Sequence, residues 1–233
     1  MRRLFLLLPA LALLAACNSD VTAPPRVEPP LHYPIIFVHG YFGDSTTWST
    51  TVARFKADGW TDRELVNWRF DYNQSNTVIA AALAMKVDSV LAATGAKHVN
   101  LVTHSMGSLV ARYYVRNLLP GGDTATRVDA IVSLAGTNRG TALAALCNSA
   151  SCFEMRPGSG FLTTLNAGDE TFGTPRYATW WSACDEAVIP QSSALLNGAQ
   201  NTETTCLSHS ALHESEAVYQ QVREWVRPTR YGR

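Results

Sequence analysis

Neither sign of charge is in excess in this chain: 19 Lys and Arg stand against 19 Asp and Glu over 233 residues. Nucleic-acid binding ordinarily needs a basic stripe, so no nucleic-acid partner is expected. A second long apolar run is missing too. Only the first seventeen residues form one, which excludes a chain that crosses a membrane several times. CxxC and His–Cys spacings of the zinc-binding kind are absent, as is any calcium loop, so neither a metal nor another cofactor is expected. What is plentiful is apolar content, 46% against 16% charged, enough to bury a core and to exclude general disorder. The length suits one domain of ordinary size, or a larger one with a tail. Tyr, Phe and Trp are scattered along the chain and read as core and pocket lining.

The N-terminus reads as an address. Met1-Arg2-Arg3 is basic, and Leu4 to Ala16 is apolar but short for a membrane span. The run ends Leu14-Ala15-Ala16-Cys17, which resembles the lipobox of bacterial lipoproteins. Residues 1–16 are then a signal peptide, and Cys17 carries the lipid that attaches the chain to a membrane. Asn18, by resemblance to Gram-negative sorting rules, directs it to the outer membrane, on its periplasmic or surface face. Residues 17–34 hold five of the eleven prolines and read as an extended tether, followed by one domain over residues 35–233. At about 3.1 Å per residue the tether reaches up to roughly 50 Å from the lipid. A monomer is expected.

Four cysteines remain: Cys147, Cys152, Cys184 and Cys206. An even number in an exported chain suggests two disulfides. Cys147 and Cys152 can close a small local loop, which leaves Cys184 with Cys206.

From residue 33 onward strand-like and helix-like segments alternate. Strands are expected at 35–38, 65–70, 99–102, 128–134, 177–181 and, weakly, 204–207. Helices are expected at 45–57, 77–93, 106–118, near 160–167, and at 211–226. The second helix is the strongest, with Ile79, Leu83, Val87 and Leu91 at spacing four. Alternation implies parallel βαβ units, a sheet covered on both faces, and ligands at the C-terminal ends of the strands.

After the third strand comes Thr103-His104-Ser105-Met106-Gly107, the G-x-S-x-G nucleophile elbow with Thr for the first Gly. A sharp strand-to-helix turn would push Ser105 Oγ out at the top of the sheet. The first strand ends Val38-His39-Gly40-Tyr41, where the chain must turn sharply. The backbone N–H groups of Tyr41 and Met106 are expected to form an oxyanion hole, with His39 as a buried scaffold. Of six histidines, His32, His98, His104 and His39 are poorly placed to serve as a base, which leaves His209 and His213. His209 is favoured because it directly follows the sixth expected strand, whereas His213 lies inside the first turn of the last helix. The acid must lie between serine and histidine in the chain. Asp185 is placed correctly after the fifth strand, with Glu186 as its rival. A Cys184–Cys206 disulfide would tie the acid's loop to the base's.

These residues, with Ser133-Leu134-Ala135-Gly136-Thr137-Asn138-Arg139-Gly140-Thr141, resemble the bacterial class 2 lipases, small secreted α/β hydrolases. The resemblance spans residues 35 to 226. It implies an α/β-hydrolase fold with a mostly parallel sheet of about six strands and helices on both faces. It also implies hydrolysis of carboxylic esters or lipids through Ser105, His209 and Asp185. The chain departs from the family at Asn138-Arg139, where many relatives carry a Pro-His type pair, and at Ser108, where a Gly is usual. A polyester depolymerase or phospholipase would use the same triad, and an inactive scaffold serving as a tethered binding module is the non-enzymatic alternative. The stretch 142–175 reads equally as a small cap or as surface loop.

Overall fold

The computed structural model describes residues 30–119 and 127–227. Cys17, the proposed signal peptide and all of the tether up to residue 29 lie outside the described residues. Six strands form one sheet, in order β2-β1-β3-β4-β5-β6, and every neighbouring pair is parallel. They are β1 (Ile35–Val38), β2 (Leu65–Trp68), β3 (Val99–His104), β4 (Val128–Leu134), β5 (Arg176–Trp181) and β6 (Gln200–Glu203).

The first five strands are short and largely apolar because both faces of the sheet are covered there. Successive residues of β1 serve opposite cores. Ile36 and Val38 join the layer formed with α2 (Asn76–Thr94) and α3 (Gly107–Tyr113). Ile35 and Phe37 join the layer formed with α1 (Ser49–Ala57) and, near the C-terminus, α7 (Glu216–Val226). Helix α2 is capped at its start by Ser75, whose side chain accepts from Thr77 N–H. Gly95 ends it in the left-handed region at φ 72°, its N–H donating to Leu91 O.

Several boundaries differ from those the sequence suggests. The second strand stops at Trp68, not residue 70. The helix after Ser105 is α-helical only to Tyr113 and continues as a widened, π-type turn over Tyr114–Leu118. The sixth strand is Gln200–Glu203 rather than 204–207. It is a polar edge strand, so hydrophobic patterning carries no trace of it; pairing with β5, Ala178 opposite Gln200, sets its position. The closing helix is two: α6 (Ala211–Glu214) and α7, broken at Ser215, which accepts from Val218 N–H as the cap of α7. The 142–175 stretch folds as a single turn over Ala142–Leu146 followed by α4 (Ala150–Met155) and α5 (Gly160–Leu165).

Candidate active site

Every strand runs toward the same end of the sheet, and the candidate residues collect at that end. β3 is hydrogen-bonded into the sheet up to its last residue, and Ser105 N–H still donates to Leu134 O at 3.0 Å. The chain then reverses into α3 with Ser105 in the left-handed region, φ 54°. For a side-chain-bearing residue that is a strained conformation, costing of order 1–3 kcal/mol, and strain of this kind clusters at functional sites. The turn can form only because Gly107 has no side chain. A Cβ there would lie 2.5 Å from Val38 O and 2.7 Å from His39 O. Thr103 is accommodated fully buried, its hydroxyl donating to Val132 O at 2.8 Å. Ser108, where relatives carry glycine, donates to Ser105 O at 2.9 Å and so braces the turn.

The loop after β1 packs directly against this turn. A Cβ on Gly40 would stand 2.7 Å from Ser105 Cβ. His39 is fully buried and stacked on Phe70 at 3.8 Å. Its Nδ1–H donates to Gly40 O at 2.9 Å while Nε2 accepts from Phe70 N–H at 3.3 Å. Burial holds this imidazole below its ordinary pKa, so it stays neutral and fixes the loop. Gly43 N–H closes the following turn onto Gly40 O, and Phe42 sits there at φ 61°. Among the described residues, neither Tyr41 N–H nor Met106 N–H has a protein acceptor.

Asp185 follows β5 in a loop and is buried. Its Oδ1 accepts from Ala187 N–H at 2.8 Å and Val188 N–H at 2.9 Å. Both of its oxygens lie 3.0 Å from His209 Nδ1. The carboxylate can only accept, so Nδ1 carries the proton and Nε2 keeps its lone pair. Glu186 does not share this contact; its carboxylate accepts from His209 backbone N–H at 3.0 Å. His209 lies six residues past β6, in a segment without helix or strand. Disulfides join Cys147 to Cys152 and Cys184 to Cys206, the second linking the loop of Asp185 to that of His209. His213, the other candidate base, is buried beneath His104.

Ser105 and His209 line one cavity of about 350 Å³ with Tyr41, Phe42, Thr137 and Thr141. Ala187, from the loop of Asp185, also lines it, and the rest of its wall is the stretch after Thr141: Leu143, Ala144, Leu146, Cys147 and Met155. Among the described residues that line it, His209 and the Tyr41 hydroxyl are the titratable groups. The wall is pinned to the body by Glu154, which accepts from Asn76 N–H at 2.6 Å at the start of α2, and by Ser151, which donates to Tyr72 O at 2.6 Å. Leu146 and Phe42 are 82% and 79% exposed at the mouth. Asn138 does not reach this rim. It is buried and donates to Ala194 O at 2.8 Å, while Arg139 pairs with both oxygens of Glu170.

Sequence reading did not identify the wall, nor the contacts of Glu186 and His104 with the backbone of His209. The paired cysteines and the apolar residues around them were its visible trace. The backbone contacts leave no local pattern.

Comparison with known proteins agrees with this architecture. The family described as Lipase (class 2) matches residues 32–227. Among solved structures, the mature form of the Bacillus licheniformis lipase BlEst2 superposes with a TM-score of 0.71 at 17% identity, covering 88% of this chain and 96% of that one. Aspergillus fumigatus lipase B superposes at 0.68 and 18% identity, over 81% of this chain and 51% of that one. An α/β hydrolase from the metagenome of lagoon sediments of Mar Chica, Morocco, superposes at 0.52 and 16% identity, over 83% of this chain and 90% of that one. At such identities these likenesses show the fold, which is that of the α/β hydrolases.

Proposed function

Because this chain belongs to the class 2 lipases, and is thereby a carboxylic ester hydrolase, we propose that it cleaves esters of apolar acyl chains through Ser105, His209 and Asp185. The observation that carries this reading is the one cavity that Ser105 and His209 both line, with His209 Nδ1 held by Asp185. In the reaction, Ser105 Oγ attacks the ester carbonyl as His209 Nε2 takes its proton. Asp185 stabilises the imidazolium and keeps its ring oriented, without taking the proton itself. The amides of Tyr41 and Met106, without another acceptor among the described residues, receive the oxyanion. His209 then returns the proton to the leaving alcohol. Water, deprotonated by the same imidazole, attacks the acyl-enzyme and releases the acid.

The lining favours an apolar acyl group. It carries no Lys, Arg, Asp or Glu, and Leu143, Leu146 and Met155 offer surface worth about 25 cal/mol per Å² covered. The lipid anchor at Cys17 belongs to the same proposal: it would hold this hydrolase at a membrane, in Gram-negative cells the outer one.

The test is hydrolysis of p-nitrophenyl esters from C2 to C16 by the full chain and by Ser105→Ala. Activity abolished in the variant, with a fluorophosphonate labelling only the parent, is the expected result. Equal activity in both would overturn the assignment of Ser105. For the anchor, Cys17→Ala should move the protein from the membrane fraction to the soluble one; continued membrane association would refute it.

A further inference from the structure

Three histidine rings pack together beside the cavity, and the reaction above uses only His209. His104 lies between the other two, its ring centroid 4.5 Å from His209 and 4.5 Å from His213. Trp48 meets its edge at 6.5 Å and 88°. His104 is also the residue immediately before the nucleophile. Its Nε2–H donates to the backbone carbonyl of His209 at 3.1 Å.

We propose that His104 is a positioning residue for the base, setting the place of His209 relative to Ser105 through this one hydrogen bond. The inference rests on the assignment of His209 as the base.

The argument begins with the segment that carries His209. β6 ends at Glu203 and α6 begins at Ala211, so no helix or strand holds the base. Its position depends on side-chain tethers. The Cys184–Cys206 disulfide and the bond from Leu207 N–H to Ser182 Oγ hold the segment upstream of it. At His209 itself both backbone polar groups are engaged by side chains: the N–H by Glu186 and the carbonyl by His104.

These two contacts are not equivalent. Glu186 is exposed, so water competes for its bond. His104 is buried, where a hydrogen bond is uncontested and electrostatically stronger. His104 is moreover the last residue of β3, paired with Leu134 in the sheet. The bond therefore references the base to the strand that delivers the nucleophile, and the two reacting side chains share one rigid origin. Burial beside two other imidazoles keeps His104 neutral. It thus adds no second positive charge next to the imidazolium that forms on His209.

The experiment compares three variants of the full chain by steady-state kinetics and by the rate of fluorophosphonate labelling. His104→Phe keeps the ring and loses the donor. His104→Asn keeps a polar donor one bond too short to reach. His104→Gln places an amide nitrogen the same number of bonds from the backbone as the imidazole Nε2. Since misplacement by about 1 Å can cost on the order of 100-fold, His104→Phe and His104→Asn should lose tenfold or more in kcat and in labelling rate, with KM little changed. His104→Gln should recover most of both. Parental kcat in folded His104→Phe or His104→Asn would overturn the proposal, as would a loss in His104→Gln equal to that in His104→Asn. Ser105→Ala and His209→Ala serve as controls. If they retain activity, the triad assignment fails; if they are inactive while His104→Asn is parental, only the positioning role fails.

Discussion

Asp185 offers both carboxylate oxygens to His209 Nδ1, each at 3.0 Å, from a position next to the cysteine that is bonded to the loop of His209. The Asp185 carboxylate is itself held by two backbone amides, so the imidazole is oriented by a group that cannot swing away. Asp185→Asn preserves the shape but presents an NH₂ group that favours the wrong tautomer. Its kcat should fall on the order of 10⁴-fold with KM little changed. A loss of less than tenfold in steady-state assays would remove Asp185 from the triad.

Gly40 packs directly against Ser105. An added methyl would sit 2.7 Å from Ser105 Cβ and 3.1 Å from His104 O, so the loop bearing Tyr41 must shift away. Displacing one oxyanion donor typically costs 10²–10³-fold in kcat, and Gly40→Ala should lose about that much while remaining folded by circular dichroism. Parental turnover in the folded variant would show that the Tyr41 amide is not used.

The two disulfides should separate in their effects. Cys184–Cys206 joins the loops of Asp185 and His209, and its removal by paired Cys→Ser changes should cost about 3 kcal/mol of stability and lower kcat as well. Cys147–Cys152 staples the apolar wall of the cavity. Its removal should leave kcat on acetyl esters near the parent value while changing the preference among longer chains. Urea titration and a chain-length series check both. A fall in acetyl-ester turnover on losing Cys147–Cys152 would contradict this division.

Acid should destabilise the protein through its buried imidazoles. Burial lowers the pKa of His213 to about 4, and that of His104 also moves down from the ordinary 6.5. The folded state therefore binds fewer protons than the unfolded chain below about pH 6.5. Stability is full above that value and falls with pH until His213 titrates near 4. At 1.36 kcal/mol per pKa unit, His213 alone accounts for about 3 kcal/mol across that window. His213→Phe should flatten the pH dependence of the urea midpoint between pH 7 and 4. An unchanged slope would mean that the ring is already charged or is solvated in the fold.

Much of this molecule was legible in one dimension because its signals are local. Apolar runs marked the first five strands, since a parallel sheet buries both faces of each. Ser105 was legible because a nucleophile elbow needs a small residue beside the serine, and Gly107 meets that need against the Val38 and His39 carbonyls. The polar edge strand β6 was misplaced by four residues, because its position comes from pairing with β5 and not from its own composition. The break at Ser215 was missed because a serine inside an amphipathic pattern reads as surface unless its capping geometry is seen.

What the sequence by itself determined is the first five strands, the long second helix, the sharp turn at Ser105, and the order along the chain of the candidates Ser105, Asp185 and His209. These follow from periodicity, from glycine placement and from fold connectivity. Only the tertiary structure decided that Asp185 takes the imidazole while Glu186 takes the backbone, and that His213 lies buried behind His104. Only it showed the stretch after Thr141 folding into the cavity wall. Each of these choices is a contact between segments more than twenty residues apart, or a choice between neighbours set by such a contact. The direction a loop takes after leaving a strand depends on what it packs against, and residue identity alone does not carry that information.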